Sequence, residues 1–232
     1  MKSRLLEIAV DTVEAAVAAE RGGADREELC GDLSVGGVTP DAALLRAVRE
    51  QIQIPVFVMI RPRAGDFVYS VAEFEEMKAS IVAAKELGAD GLVLGVLNRG
   101  NSVDVRRTGE LVSLGKPLPV TFHRAFDETA DLSRALEEVV QTGAARILTS
   151  GGGTSALEGA ARIANLVSVA SQRIMIVPGA GINPENILQI AVATRAREFH
   201  SGLSSALPYP RADYAAFERG VRELVAKLRS IT

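Results

Sequence analysis

Residues 55–60 read Pro-Val-Phe-Val-Met-Ile and form a continuous run of apolar and β-branched side chains. A strand with one solvent-exposed face would alternate polar and apolar residues, whereas this run is typical of a parallel strand covered on both faces. A helical pattern follows it, because apolar residues recur every three or four positions until Gly88: Val71, Phe74, Met77, Ile81, Ala84 and Leu87. This pair predicts one unit of a parallel α/β fold.

The same alternation of strand and helix runs through the whole chain. Eight strands are predicted, at Leu5–Val10, Arg26–Cys30, Pro55–Ile60, Gly91–Leu97, Leu118–Phe122, Arg146–Thr149, Ile174–Val177 and Glu198–His200. The second strand is unusually charged. The helices between and after them are predicted up to Gly22-Gly23, then at Thr39–Gln51 with Thr39 as N-cap and Pro40 in the first turn, and at Val71–Leu87, Val103–Leu114, Leu132–Gln141, Ala156–Ala170, Pro184–Ala193 and Tyr214–Leu228.

Eight βα units predict a (β/α)8 TIM barrel, formed by residues 1–232 as a single domain. No linker rich in proline, glycine or serine divides the chain. A doubly wound open sheet is the alternative, because periodicity alone does not show closure. The barrel is favoured because open sheets more often have five or six strands.

Composition excludes several classes of protein. The chain has 26 basic and 29 acidic residues, and they are interspersed, so a nucleic-acid partner is not expected. A single cysteine rules out an intramolecular disulfide and a cysteine-rich zinc site. No apolar run approaches the roughly 18 residues of a membrane span, and the N-terminus resembles a first strand rather than a signal peptide. We therefore expect no membrane association and a cytoplasmic location.

Arginine, histidine, serine and glycine residues cluster at the exits of the predicted strands, which is the end of a barrel where active sites lie. Arginine is suited to forked recognition of a carboxylate or phosphate, and a glycine turn before a helix offers backbone N–H groups to an anion. These features predict a site for a small anionic, perhaps phosphorylated ligand, formed by Arg61, Arg63, Arg124, Ser150, Gly151, Gly152, Gly179, Gly181, His200 and Ser201. Alternatively, the glycines only make tight turns and the arginines pair with Asp66 and Asp127.

Three residues are candidates for catalysis at this site. His123 has the reference pKa of a general acid or base, and Glu7 is either its partner base or a holder for an arginine. Asp127, four residues after His123, is the third candidate. Asp104 stands at the start of a predicted helix, where an N-cap is the expected role.

The chain also contains residues that bind soft or borderline metals. Cys30, His123 and His200 lie at the exits of predicted strands two, five and eight, so they are spread around the barrel and a shared ion would need long or bent loops. The chain has no CxxC, MxxM or HxxxH spacing. Cys30 remains a candidate metal ligand, and its alternative role is that of a small buried apolar side chain.

Several motifs together resemble the CutC family, over residues 5 to about 205. The most specific are rich in arginine and histidine; the set is Leu6-Glu7-Ile8, Glu28-Leu29-Cys30, Gly36-Gly37-Val38-Thr39-Pro40, Ile60-Arg61-Pro62-Arg63, Gly65-Asp66-Phe67, Tyr69-Ser70, Thr121-Phe122-His123-Arg124-Ala125-Phe126-Asp127, Leu148-Thr149-Ser150-Gly151 and Gly179-Ala180-Gly181. The resemblance implies a cytoplasmic TIM barrel that forms a homodimer. It also implies a role in copper homeostasis, with Cu(I) binding proposed for some members.

The chain departs from the family pattern where copper matters most. Many relatives have one or two cysteines directly after Leu-Glu-Ile, and this chain has Ala9; relatives often have an acidic residue where it has Val35. One cysteine cannot build a Cu(I) site of several thiolates within one chain. Two functions therefore stay open: a copper-homeostasis protein with Cys30 as a ligand, or an enzyme of unknown reaction on a small anion.

Overall fold

The computed structural model describes residues 4–203 and 213–231. All eight predicted strands are present in this part of the chain. They are β1 (Leu5–Val10), β2 (Arg26–Leu29), β3 (Val56–Met59), β4 (Gly91–Leu94), β5 (Val120–Phe122), β6 (Arg146–Thr149), β7 (Met175–Pro178) and β8 (Glu198–Ser201). Strand β2 forms in spite of its charged sequence, and all four of its residues are buried.

Eight α-helices follow the strands in alternation. They are α1 (Val13–Gly22), α2 (Ala42–Gln51), α3 (Val71–Glu86), α4 (Val105–Gly115), α5 (Leu132–Thr142), α6 (Ala160–Ala170), α7 (Ile187–Thr194) and α8 (Tyr214–Ser230). Short 3₁₀ helices span Leu33–Val35 and Arg124–Glu128. No helix in the described ranges is both long and apolar enough to cross a membrane.

The strands form one parallel sheet in the order β7-β6-β5-β4-β3-β2-β1-β8. Its two end strands, β7 and β8, lie in contact, so the sheet curves into a nearly closed barrel with the helices outside. This architecture confirms the predicted (β/α)8 TIM barrel and excludes the open, doubly wound alternative.

Several helix starts, and the end of strand β4, differ from the sequence prediction. Helix α2 begins after Asp41, whose Oδ1 accepts a hydrogen bond of 2.7 Å from the Leu44 N–H, so Thr39 is not its N-cap. The Thr39 hydroxyl instead accepts a 2.8 Å bond from the Arg61 N–H. Helices α6 and α7 begin later than predicted, at residues 160 and 187, and β4 ends at Leu94 rather than Leu97. At α2, the hydrogen bond to the Asp41 side chain, rather than apolar periodicity, determines where the helix starts.

Two predicted helix starts agree with the structure. Asp104 is the N-cap of α4, and its carboxylate accepts a 2.9 Å bond from the Arg107 N–H. Helix α3 starts at a capping box in which the Ser70 hydroxyl and the Glu73 carboxylate each accept a backbone N–H of the other residue. Both features fix the helices that flank the loops at the mouth of the barrel.

Apolar residues pack in two separate regions. The larger one lies between the sheet and the helices and contains the outward-facing residues of the strands, such as Leu6, Ile8 and Val10. The smaller one lies inside the barrel and consists of Cys30, Phe57, Met59 and Val93. Charged side chains, among them Glu7, Arg26 and Arg146, also lie inside the barrel and form the network described below.

Glu27 is an ionisable residue on the outer face of β2, where its side chain packs toward the helices. It is fully buried, and neither carboxylate oxygen has a hydrogen-bond partner among the described residues. Burial, together with the nearby charge of Glu20, raises the pKa of Glu27 to about 9. The side chain is therefore protonated in the native protein at neutral pH.

Replacing Glu27 by glutamine changes how stability depends on pH. The native state keeps a proton that the unfolded chain releases above about pH 4.5, so Glu27 makes the free energy of unfolding fall between about pH 4.5 and 9. Relative to wild type, Glu27→Gln should gain up to about 1.4 kcal/mol per pH unit across this window. Urea unfolding at a series of pH values measures the gain. The exposed Glu86→Gln is the matched control, and a Glu27→Gln curve parallel to wild type would contradict the assignment.

Candidate functional site

A cavity of about 1120 Å³ opens at the carboxyl ends of the strands, where the polar motifs were predicted to lie. Glu28 and His200 line it from β2 and β8, and Arg61 and His123 line it from the ends of β3 and β5. Phe67 adds an aromatic wall. Both histidines of the chain therefore face one cavity, although their strands are far apart around the barrel.

A network of buried charges lies inside the barrel, beneath this cavity. Glu7 Oε2 accepts a 2.5 Å bond from Arg26 Nε, and Arg26 Nη2 donates a 2.7 Å bond to Glu198. Arg146 Nη1 lies 3.8 Å from the same Glu198 oxygen. The register explains this meeting, because Glu7 on β1 pairs with Arg26 on β2 and with His200 on β8.

Both guanidinium groups of this network lie against the ring of Phe57. The Cζ atom of Arg146 lies 3.9 Å from the centre of its ring, and that of Arg26 lies 4.8 Å away. Burial and the neighbouring Arg26 charge lower the pKa of Arg146 to about 10. Arg26 is thus held by Glu7 and Glu198. Arg146 donates a hydrogen bond to Thr121 and its Nη2 has no partner among the described residues, so Glu198 and the ring offset its desolvation only in part.

Glu7 connects the network to the cavity. Its second oxygen, Oε1, lies 2.8 Å from Nδ1 of His200. Burial opposes the charge of Glu7, but Arg26 and His200 outweigh burial and hold the pKa of Glu7 well below its usual range. Burial likewise opposes the charge of His200, but the carboxylates of Glu28 and Glu7 raise the pKa of His200. Glu7 therefore holds an arginine, as one of its two predicted roles requires, and also orients His200.

Three ligand atoms of metal-binding residues converge here, one each from Glu7, Glu28 and His200, all within 4.8 Å of one another. Glu28 Oε2 is buried and has no hydrogen-bond partner among the described residues. Burial raises the pKa of Glu28. In the part of the chain that the structure describes, this is the one group of at least three His, Cys, Asp or Glu residues arranged to hold an ion.

Cys30, the predicted metal ligand, lies next to this group without belonging to it. It is fully buried, and its Sγ donates a 3.6 Å hydrogen bond to Glu28 Oε1. Burial and the adjacent Glu28 raise the pKa of the Cys30 thiol well above its usual value. Gly37 covers the sulfur so closely that a Cβ there would lie 2.8 Å from Sγ. The thiol packs with Phe57 and Met59, as expected for a small apolar side chain.

The predicted anion site at the Gly151–Gly152 turn is filled by the protein's own Asp127. Its carboxylate accepts hydrogen bonds from the Ser150 N–H at 2.9 Å, the Gly152 N–H at 3.1 Å and the Ser150 hydroxyl at 3.0 Å. The Gly151 N–H donates to the Thr149 hydroxyl instead. Helix α6 begins only at Ala160, so its N-terminus does not directly follow the turn. These N–H groups are engaged, and Asp127 serves as their internal anion.

The other predicted anion-binding residues are largely engaged as well. Arg63 pairs with Asp66 and Glu73, and Arg124 pairs with Asp127, as in the alternative interpretation of these arginines. The Gly179 N–H donates to the Thr149 carbonyl, and the Ser201 hydroxyl donates to the Ile182 carbonyl. The Gly181 carbonyl accepts a bond from Asn186, and Gly181 does not line the cavity.

Arg61 and His123 line the cavity, as do Arg124 and His200. Nη1 of Arg61 donates to the Gly37 carbonyl at 2.9 Å and Nη2 donates to the Gly65 carbonyl at 2.8 Å, so the side chain clamps two loops. Nδ1 of His123 accepts a 3.2 Å bond from the Ala125 N–H. Burial and the Arg61 charge lower the pKa of His123 to about 3. His123 is therefore neutral near pH 7, which does not suit the proton-transfer role predicted for it.

The sequence interpretation missed Arg26, Arg146 and Glu198 as parts of the site. A signal for Arg26 was present, because Arg26, Glu28 and Cys30 alternate along β2 and so face the same side of the sheet. Two charged residues and a cysteine at every second position of a buried strand indicate a polar barrel interior. Arg146 and Glu198 each begin a strand, where a charged residue is normally solvated.

A TIM barrel with a charged interior and a polar cavity at its mouth defines the class of this protein. The CutC family model matches residues 4–205, so this chain belongs to the CutC family. It is 51% identical to the copper homeostasis protein cutC homolog of Homo sapiens over 201 residues, which cover 87% of this chain and 74% of the relative. It is 48% identical to a family protein CutC of Xylella fastidiosa, over 86% of this chain and 75% of that one.

Solved structures agree with this assignment. A CutC structure from Streptococcus agalactiae superposes with a TM-score of 0.80 at 33% identity, covering 85% of this chain and 98% of that one. Phosphoribosylanthranilate isomerase from Pyrococcus furiosus superposes with a TM-score of 0.63 at 16% identity, covering 98% and 100% of the two chains. The second likeness shows the barrel fold alone.

Removing the Asp127 carboxylate should destabilise the protein and create an anion site. Asp127→Ala leaves the buried N–H of Ser150 and the exposed N–H of Gly152 without this acceptor, at a cost of about 1–3 kcal/mol, mostly from Ser150. Acetate should partly restore the melting temperature of this variant, since it can fill the vacated position, and should have little effect on wild type. Asp66→Ala, which removes an exposed carboxylate, is the control. Equal melting temperatures for the two variants would contradict the structural role of Asp127.

Proposed function

We propose that this chain takes part in copper homeostasis, the role given in the names of its relatives, and that it binds copper at Glu28 and His200 in the mouth of the barrel. The observation that carries the proposal is the convergence of ligand atoms from Glu7, Glu28 and His200 within 4.8 Å. Glu28 and His200 also line the cavity, so an ion would reach them from solvent.

The hydrogen bonds of the three residues divide them into two roles. Both oxygens of Glu7 are already bonded, one to Arg26 and one to His200. Because His200 uses Nδ1 for Glu7, its Nε2 is the atom left for a metal. A histidine that donates one N–H to a carboxylate and ligates through the other nitrogen is the usual arrangement at metal sites. Glu28 and His200 would thus hold the ion, and Glu7 would orient His200. The ion needs the ionised Glu28 and the neutral His200, and the pKa of both is raised, so binding would tighten as pH rises.

The chemistry of these donors fits one oxidation state of copper better than the other. One imidazole and one or two carboxylates are nitrogen and oxygen donors, which Cu(II) accepts and binds more tightly than the other divalent metals of its row. Cu(I) prefers thiolates and thioethers. The buried Cys30 has a raised thiol pKa, so it rarely offers the thiolate that Cu(I) needs. The fit supports Cu(II) at the nitrogen and oxygen donors.

Copper titrations of purified variants test this assignment. His200→Ala and Glu28→Gln should each weaken Cu(II) binding by more than the roughly 10–100-fold that loss of an orienting residue costs. Cys30→Ala should retain Cu(II) binding, because it removes no donor of the group. Competition with a chromophoric chelator measures the affinities for Cu(II) and, under reducing conditions, for Cu(I).

Glu128→Gln is the matched control for Glu28→Gln, since Glu128 lines the same cavity but stands outside the group of three. Circular dichroism confirms that each variant is folded. Loss of copper binding in Cys30→Ala, with His200→Ala unaffected, would indicate that the ion binds to the Cys30 sulfur and would overturn the ligand assignment. Wild-type protein that binds neither Cu(II) nor Cu(I) would overturn the proposed function itself.

A further inference from the structure

Two buried hydrogen-bond donors on residues that line the cavity have no partner among the described residues. They are Nε of Arg61 and Nε2 of His123, and the two side chains belong to residues that are 6% and 3% exposed. A buried donor left unpaired costs about 1–3 kcal/mol, so native proteins contain few of them. Two such donors in one cavity indicate a place where a ligand supplies the acceptor.

The hydrogen-bonding of His123 determines which of its nitrogens carries the proton. Nδ1 accepts the Ala125 N–H, since His123 is the N-cap of the 3₁₀ helix Arg124–Glu128. The ring is neutral near pH 7, because burial and the Arg61 charge lower its pKa to about 3. The remaining proton is therefore on Nε2, which makes His123 a neutral donor toward the cavity.

Arg61 is held so that its Nε–H has a fixed direction. Its two terminal nitrogens are bound to the backbone carbonyls of Gly37 and Gly65. Phe67 contacts both donor side chains: Cζ of Arg61 lies 4.9 Å from the centre of the ring, and the ring of His123 lies 4.8 Å from it, centre to centre. Phe67 therefore packs against both donor side chains and limits their motion.

We propose that Arg61 and His123 form an oxyanion subsite that binds the carboxylate of a small organic molecule. One N–H from each residue matches the two oxygens of a single carboxylate, with the Arg61 charge strengthening both bonds. A phosphate needs more donors than these two, and the Gly151–Gly152 turn that would have supplied them already binds Asp127.

The rest of the cavity narrows the class of ligand. Asp11, Asp32 and Glu128 line it as acidic groups that accept hydrogen bonds from hydroxyl or amino groups. Arg124 also lines it, but its charge is paired with Asp127, so the acidic groups disfavour a second negative charge on the ligand. Phe67 and Leu148 add apolar surface. The ligand is thus a monocarboxylate that carries hydroxyl or amino substituents. The inference goes beyond the proposed copper site and does not rest on it, because Arg61 and His123 are not members of the group formed by Glu7, Glu28 and His200.

Ligand titrations followed by NMR at the His123 side chain test the subsite. The probe is glycolate, with inorganic phosphate as the comparison. Glycolate should shift the Nε2–H resonance of His123 in wild type, and His123→Phe should weaken glycolate binding about tenfold or more through the lost hydrogen bond. His123→Gln, whose amide can donate toward the same position, should recover part of the affinity.

Arg63→Gln is the matched control for the arginine. Arg63 belongs to the same Arg-Pro-Arg segment but pairs with Asp66 and Glu73 outside the cavity. Arg63→Gln should bind glycolate as wild type does, whereas Arg61→Lys, which keeps the charge but lacks the Nε–H, should bind it at least about tenfold more weakly. Saturation by phosphate with no response to glycolate would overturn the carboxylate assignment. The absence of any shift at His123 with either anion would overturn the subsite.

Discussion

The ion pair between Glu7 and Arg26, buried inside the barrel, is the constraint on which the rest of the site depends. TIM barrels usually fill this space with branched apolar side chains. Here Arg26 also binds Glu198, and Arg146 approaches Glu198 from β6. A buried charge that lost its partner would be very unfavourable, so the network ties β1, β2, β6 and β8 to one register. With Glu7 fixed in this way, the position of His200 at the mouth is fixed too.

The cavity above this network has two chemically different sides. Glu28 and His200 present a lone oxygen and a ring nitrogen that suit a cation. Arg61 and His123 present N–H groups that suit an oxygen atom. The two histidines differ because of their neighbours: carboxylates raise the pKa of His200, whereas burial and an arginine lower that of His123. The proposed metal ion and the proposed organic anion would therefore bind in the same cavity through separate residues.

Periodicity and turn residues were sufficient to predict the barrel and the exits of its strands, because the backbone pattern is local. The predicted anion site at the Gly151–Gly152 turn does not take account of Asp127. Its arginines and glycines were correctly placed at the strand exits, yet Asp127 from the loop after β5 reaches the turn after β6 and takes its N–H groups. Helix starts such as that of α2 depended on which of several polar side chains became the cap.

The sequence by itself determined the (β/α)8 fold, the CutC family and the presence of a single thiol. Only the tertiary structure decided which side chains act together. Glu7 and His200 are 193 residues apart in sequence and meet because β1 and β8 are neighbours in the curved sheet. The protonation of each histidine likewise follows from burial and nearby charges, which exist only once the strands have assembled. Local pattern specifies the elements, and long-range packing specifies the chemistry of the site.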